Sequence, residues 1–390
     1  MLLSLNARGN RSGRGAALLL HVLGPAVAGR CEVSMFFDLT EDQKQFQRTV
    51  ERVLTQYVDL ARLCRDSDAV RPTGRDLDAA LTELGVRAIL VSEQDGGLGL
   101  GLLTLAVLAE SLGAAAAPSH VVEASLAAWI MAQSPLRDLA AQWTQRLLAG
   151  GASACLAFDE PAVGWSLGRW RARKSDSEVV KINVVGAEQA DFAIVGLANG
   201  LAFVERQHLT LEMERDPLDL TRPLGQARFA PAAAEMIGGP ELAQRVHLAL
   251  LVIAAADAVG AGRQALRMSV EYAKMRQQFQ RPIGSFQGLR HQLANMALDM
   301  EPARYLVWFA AHAWDAELPP AVRAVLLAKA HATEMAVKTG RAAVLAHGGI
   351  GYTWEYPLHF LLKRAMQDFA MYGVPRQLRA ALPAIAAPML

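Results

Sequence analysis

The residues best suited to chemistry fall in three places. In Tyr272-Ala273-Lys274-Met275-Arg276-Gln277-Gln278-Phe279-Gln280-Arg281-Pro282-Ile283-Gly284-Ser285-Phe286-Gln287, Arg276 stands where a long helix should end, just ahead of a Pro-Gly turn and an aromatic residue. A planar guanidinium there can donate two parallel hydrogen bonds to a phosphate, and an aromatic ring can stack on a heterocycle. The competing assignment is a solvated arginine at a helix C-terminus, where the macrodipole favours a cation. Ala346-His347-Gly348-Gly349-Ile350-Gly351-Tyr352-Thr353 holds three glycines in four positions. Such a run lets backbone approach a pyrophosphate without side-chain obstruction, or serves as a turn between helices. It does not follow a strand, so a Rossmann fingerprint is rejected. Third, Asp257 is the one acid in Leu248-Ala249-Leu250-Leu251-Val252-Ile253-Ala254-Ala255-Ala256-Asp257-Ala258-Val259-Gly260. A carboxylate on so apolar a helix must be paired or used. An arginine such as Arg263, or one from another helix, would pair it; a reaction needing a general base would use it.

The elements that must position these residues follow from hydrophobic spacing. Asp38 or Thr40 can cap a helix whose apolar positions Phe46, Val50, Val53, Leu54 and Tyr57 recur every three or four residues. Further helical patterns cover 76–84, 102–113, 120–133 and 136–148, with the glycine-rich loop Asp95-Gly96-Gly97-Leu98-Gly99 between the first two. From Gly150 the pattern shortens to apolar runs at 154–158, 179–185, 192–195 and 201–204, which read as strands. After Gly238-Gly239-Pro240 three long amphipathic stretches, 241–275, 286–316 and 321–343, call for an antiparallel bundle, with Pro302 as the only internal proline, and 357–370 and 375–388 add two more helices. The expected fold is mainly α with a small β domain: an extension over 1–34, a helical domain over 35–150, a β domain over 151–237 and a helical bundle over 238–390.

Composition narrows the function classes. The 390 residues carry 39 Lys and Arg against 38 Asp and Glu, a net charge of +1 that offers no basic excess to a nucleic acid. Apolar residues at 52% against charged residues at 20% argue for a packed core rather than disorder, and no uncharged apolar run is long enough to span a bilayer. Three dispersed cysteines without a CxxC pair support neither a disulfide framework nor a cysteine zinc site, so no metal is expected and the reducing cytoplasm is the expected compartment. Arg8, Arg11 and Arg14 precede a short apolar stretch and Ala26-Val27-Ala28, an imperfect imitation of a secretory signal. Met35, opening an amphipathic run, is the expected start of the folded chain, and the preceding extension is expected to be dispensable.

Taken in order, these segments resemble the acyl-CoA dehydrogenase family. The resemblance runs from Met35 to the C-terminus through Leu39-Thr40-Glu41-Asp42-Gln43, Gln94-Asp95-Gly96-Gly97-Leu98-Gly99, the 272–287 block with His291, and His347-Gly348-Gly349-Ile350-Gly351-Tyr352 followed by Glu355-Tyr356-Pro357. It implies a flavoenzyme that desaturates an acyl-CoA thioester, with FAD as cofactor, an electron-transfer flavoprotein as acceptor, and assembly as a dimer or dimer of dimers. By the same resemblance Arg276 meets the FAD pyrophosphate, Phe279 the adenine region, and Gln287, Gly348 and Gly349 the adenosine-diphosphate half, across a subunit interface. Several positions depart from the family pattern. Gln280 replaces a glycine and Leu345 a glutamine. The flavin-ring loop and tryptophan strand are missing: Phe158-Asp159-Glu160-Pro161 runs on to Gly164-Trp165, leaving Val184-Val185-Gly186-Ala187 and Asp191 to mark the β domain. The resemblance also places the catalytic base, normally a glutamate, at Tyr372 in Met371-Tyr372-Gly373-Val374, or in some relatives at Leu250. A phenol with a pKa near 10 is a poor base at neutral pH. Asp257, seven residues beyond Leu250 and nearly on the same helix face, is the remaining carboxylate candidate. Gly373-Val374-Pro375 is most similar to a bacterial subgroup that assembles as heteromers acting on steroid or other bulky acyl-CoAs. Two roles follow: a dehydrogenase subunit, or a binding and assembly subunit that lends its FAD contacts to a second acyl-CoA dehydrogenase-like chain.

Overall fold

A computed structural model describes residues 38–161 and 166–386. The extension over 1–34 and the Gly164-Trp165 departure lie outside the described residues. Thr40 caps the first helix, α1 (Glu41–Tyr57), through a reciprocal pair: its hydroxyl accepts from Gln43 N at 3.2 Å, and the Gln43 side chain accepts from Thr40 N at 3.0 Å. Helices α2 (Leu60–Arg65) and α3 (Val70–Glu83) follow, the latter starting earlier than the expected 76. Next come α4 (Gly101–Ala114), α5 (Val121–Ala132) and α6 (Arg137–Leu148). Almost every residue of α4 and α5 is buried, because both are apolar on all faces.

The middle of the chain forms one seven-stranded sheet. Its strands are β1 (Ala154–Ala157), β2 (Val179–Val185), β3 (Phe192–Leu197), β4 (Gly200–Glu205), β5 (Thr210–Met213), β6 (Leu224–Phe229) and β7 (Glu235–Gly238), in spatial order β5-β6-β2-β1-β3-β4-β7. Only β1 and β3 pair in parallel; every other neighbouring pair is antiparallel. The last three strands go beyond the four expected from sequence.

Pro240 at the first position opens α7 (Pro240–Met275), which packs antiparallel-bundle fashion with α8 (Gln287–Asp315), α9 (Ala321–His347) and α10 (Leu358–Ala370), while α11 (Pro375–Ala386) packs on α9. Pro302 lies inside α8 without ending it. By length and composition α7 is apolar enough to cross a membrane, yet 83% of its apolar window is buried within the protein, as befits the central helix of a bundle. It crosses α4 unusually closely: a Cβ on Gly113 would come within 2.0 Å of Asp257 O, and one on Gly260 within 1.9 Å of Glu110 O. Glycine at both positions lets the backbones touch, and the crossing fixes Asp257 deep between the N-terminal helices and the bundle. The expected order of helical region, β region and bundle is what the chain adopts.

Candidate functional site

Arg276 ends α7: its N–H donates to Tyr272 O at 2.8 Å, and its backbone turns extended. Its carbonyl accepts from Ile283 N at 2.8 Å, closing a two-residue hairpin between β8 (Gln277–Gln278) and β9 (Arg281–Pro282). The reversal therefore falls at Phe279 and Gln280, not at the expected Pro-Gly pair, where Ile283–Ser285 instead forms a single 3-10 turn. Both turn residues have positive φ, 51° and 61°. Such a hairpin turn favours glycine, so Gln280 keeps a glycine conformation without the glycine, costing about 1 kcal/mol. The hairpin presents Phe279 to solvent at 85% exposure, its ring edge-on to Phe286 at 6.0 Å. Arg276 is exposed and makes no ion pair among the described residues. Gln287, the first residue of α8, bonds His291 at 3.1 Å.

The second glycine-rich segment reaches the same end of the bundle. His347, buried at the end of α9, donates from Nδ1 to Ala343 O at 2.7 Å and stacks on Tyr272 at 4.5 Å, one turn before Arg276. Gly348 then leaves the helix at φ +65°. Among the described residues, a Cβ on Gly348 or on Gly349 would meet no atom within 4 Å. None of the described residues requires the bare backbone at Gly349, which leaves room beside it for a ligand or a second chain.

Asp257 lies in a different environment. Its Oδ1 is 3.3 Å from Arg364 Nε of α10 and its Oδ2 is 3.9 Å from Arg222 Nη1, from the segment between β5 and β6. Arg263, on the same helix, pairs with Glu301 at 3.5 Å instead. Arg222 also binds Asp368, and Arg364 binds Asp219 at 3.4 Å and donates to Ala117 O. All five side chains are buried. Burial opposes the charge on Arg222, but Asp368, Asp257 and Asp219 around it hold its pKa well above the usual arginine value. Burial, only partly offset by Arg222, pushes Asp368 well above the carboxylate range. One guanidinium, that of Arg364, thus touches the N-terminal helices through Ala117, the β region through Asp219 and the bundle through Asp257.

Beside this cluster the connection from α10 to α11 is tied by side chains. Fully buried Lys329 of α9 donates to Phe369 O at 3.1 Å and Gly373 O at 2.5 Å. Burial lowers its pKa to about 7. His247 of α7 accepts from Gly168 N at Nδ1 (2.8 Å) and donates from Nε2 to Tyr372 O at 3.1 Å. Burial brings its pKa down to about 4, so the ring is neutral at physiological pH. Tyr372 has φ +59°, and burial, then Glu123 and Asp159, raise its phenol well above the usual value. In the β region, buried Lys181 pairs with Glu160 at 2.6 Å beneath Trp170, and Asp159 accepts from Asn183 at 3.1 Å. A cavity of about 540 Å³ opens elsewhere, among Arg71, Arg75, His120, Met213, Arg215 and Leu220, and no sequence-predicted site residue lines it.

Comparison with known proteins places this architecture. Residues 40–151 match the model of the acyl-CoA dehydrogenase N-terminal domain and residues 250–374 that of the acyl-CoA dehydrogenase C-terminal domain. The chain is 30% identical over 299 residues to acyl-CoA dehydrogenase IpdE2 of Mycolicibacterium smegmatis, covering 76% of this chain and 82% of that protein. The chain belongs to the acyl-CoA dehydrogenase family. Its fold overlays the ChsE4-ChsE5 complex from Mycobacterium tuberculosis with a TM-score of 0.79 at 23% identity, covering 90% of this chain and 99% of the other. It overlays PigA with FAD and proline with a TM-score of 0.74 at 22% identity, covering 90% and 98%.

Within this acyl-CoA dehydrogenase family chain, the residues that family resemblance assigns to FAD gather at the open end of the bundle, while the three positions considered for the base lie inside. Leu250 is a buried hydrocarbon, Tyr372 a buried phenol and Asp257 the partner of two arginines. The residues that sequence reasoning missed are the buried cations Arg222, Arg364, Lys329 and Lys181. Lys181 and Lys329, each isolated in an apolar stretch, carried a signal of burial, whereas Arg222 beside Pro223 and Arg364 beside Lys363 carried none, and the partners are remote in sequence.

Proposed function

We propose that the chain is an FAD-dependent acyl-CoA dehydrogenase subunit that works in a heteromer, lending its cradle to a flavin whose catalytic base comes from a second, related chain. The adenosine-diphosphate half of FAD fits the open end of the bundle: a guanidinium without an ion pair among the described residues, an exposed ring and two glycines with no described atom within 4 Å of an added Cβ. Arg276 would hold the pyrophosphate, Phe279 the adenine region, and Gln287, Gly348 and Gly349 the rest of that half. The flavin-ring side fits less well among the described residues, where Glu160 and Lys181, and Asp159 and Asn183, satisfy one another. When bound, FAD supplies the hydride acceptor for acyl desaturation. The substrate class is an acyl-CoA, with a bulky acyl group favoured by the resemblance at Gly373-Val374-Pro375, and the acceptor is an electron-transfer flavoprotein.

One observation carries the assignment of the base to the partner: Asp257 is buried and faces the guanidinium groups of Arg364 and Arg222, which occupy its carboxylate as ion-pair partners. Proton abstraction needs a carboxylate in direct reach of that carbon. Purification of the chain alone and together with a second acyl-CoA dehydrogenase-like chain tests the proposal. Flavin should be retained and bleached by acyl-CoA only in the joint assembly. Turnover by the chain alone would refute it.

A further inference from the structure

We infer that Lys329 and His247 are positioning residues, whose bonds onto the 369–373 segment hold Tyr372 in a left-handed conformation and fix its phenol at the place of the family's base. The inference rests on the preceding reading only for the meaning of that place.

The starting observation is the backbone. Tyr372 has φ +59°, a region that bulky L-residues rarely enter because Cβ crowds the carbonyl oxygen. A conformation of this kind persists only where its surroundings over-determine it, and it tends to occur where geometry matters for function. Here three side-chain bonds do so. Lys329 donates to Phe369 O and Gly373 O on either side of Tyr372, and His247 donates to the carbonyl of Tyr372 itself. The proton assignment on His247 follows from chemistry: Nδ1 accepts from Gly168 N–H, so Nε2 must carry the hydrogen. Lys329 has at least two N–H donors whether or not it is charged, so both carbonyls stay bonded on either side of its pKa. His247 differs, since protonation would place a hydrogen on Nδ1 against Gly168 N–H.

The charged groups around the clamp come from each neighbouring element. Asp368 of α10 and Asp159 of the β region face Lys329, and Lys329 faces His247. Glu123 of α5, Asp159, Arg222 and Asp368 surround the Tyr372 phenol. The donors sit on α7 and α9, while the acceptors are Phe369 in the last turn of α10 and Tyr372 and Gly373 in the link that follows it. His247 also joins that link to Gly168, in the stretch that follows the 162–165 segment. The clamp therefore sets a hydrogen-bond donor, rather than a carboxylate acceptor, at the head of the link and ties it to the β region.

Spectrophotometric tyrosinate titration of the purified assembly tests this, with Tyr372→Phe identifying the signal of one tyrosine among 6. In the unmodified protein Tyr372 should stay silent where the other tyrosines titrate. In folded Lys329→Met or His247→Gln, where the freed segment lets water reach the ring, it should titrate earlier than in the unmodified protein, together with the other tyrosines. Lys329→Arg should restore the silence. The second measurement is a double-mutant cycle on the midpoint of thermal unfolding. Tyr372→Gly removes the strain, so Lys329→Met should lower the midpoint at most half as much in the Tyr372→Gly background. If Lys329→Met alone fails to fold, the double variant should fold. A silent Tyr372 in folded Lys329→Met, an additive cycle, or a double variant no better than Lys329→Met overturns the inference. None of these readouts needs substrate, so their failure is distinct from turnover by the chain alone, which would refute the proposed function and leave the clamp intact.

Discussion

Replacing Asp257 by asparagine separates a structural carboxylate from a catalytic one. The side chain keeps its shape but loses its charge, leaving Arg364 Nε at 3.3 Å and Arg222 Nη1 at 3.9 Å facing a neutral amide. Removing one partner of a buried ion pair costs about 3–5 kcal/mol where the other is left uncompensated. Compensation here is partial, since Arg222 keeps Asp368 and Arg364 keeps Asp219. The loss therefore belongs at the low end, about 3 kcal/mol. An unfolding entropy of about 2.1 cal/mol/K per residue over 390 residues is about 0.8 kcal/mol/K, so the melting midpoint should fall by about 4 °C. Differential scanning calorimetry of the assembled protein, with flavin content and acyl-CoA turnover measured on the same sample, checks both halves. Flavin content and turnover should stay within a factor of two. An unchanged midpoint with turnover lowered a hundredfold or more would show that Asp257 removes the proton and that its ion pairs are incidental.

Arg276→Leu should lower FAD retention at least tenfold while leaving the melting midpoint of the flavin-free protein within about 1 °C, because the guanidinium is exposed and has no ion pair among the described residues; unchanged flavin affinity would dismiss the phosphate assignment. Gly349→Val should be nearly neutral for folding of the isolated chain, since its Cβ would meet nothing within 4 Å, yet should impair flavin retention or assembly; gel filtration and flavin absorbance distinguish the two effects. His247 has a folded pKa of about 4, below its unfolded value near 6.5, so the unfolded chain binds more protons in that window and stability falls as pH drops from about 6.5 towards 4. His247→Gln should flatten that part of the acid limb in denaturant titrations, and an unaltered slope would mean that the ring is not buried neutral.

The long helices were legible because α7, α8 and α9 repeat apolar residues at helical spacing and end at Arg276, Ala316 and Gly348, where the sequence changes character. Strand β6 was hidden because its inward positions alternate through Gly225, Ala227 and Phe229, and two of those three are too small to show a hydrophobic period. Strand β5 is an edge strand with exposed Thr210 and Glu212, so it carries almost no apolar signal. The hairpin at Phe279 and Gln280 lacked the Asn-Gly or Asp-Gly pair that marks such turns. At the site, the proposed cradle was legible in local motifs, since Arg276 and Phe279 share one short segment and Gly348 and Gly349 another. The buried cluster could not. Whether Asp257 is free or paired depends on Arg222 and Arg364, which only the fold brings to it, through the close crossing at Gly113 and Gly260.

Whether this chain removes a substrate proton is settled most directly by anaerobic acyl-CoA titration of the flavin. The same panel of acyl-CoAs, including bulky alicyclic ones, is added to the chain purified alone, to its assembly with a second acyl-CoA dehydrogenase-like chain, and to that assembly carrying the partner's base as glutamine. The expected result is bleaching of the flavin's visible absorbance in the unmodified assembly only. Bleaching by the chain alone, or by the assembly after the partner's base has been removed, would contradict the assignment and place a functioning base within this chain.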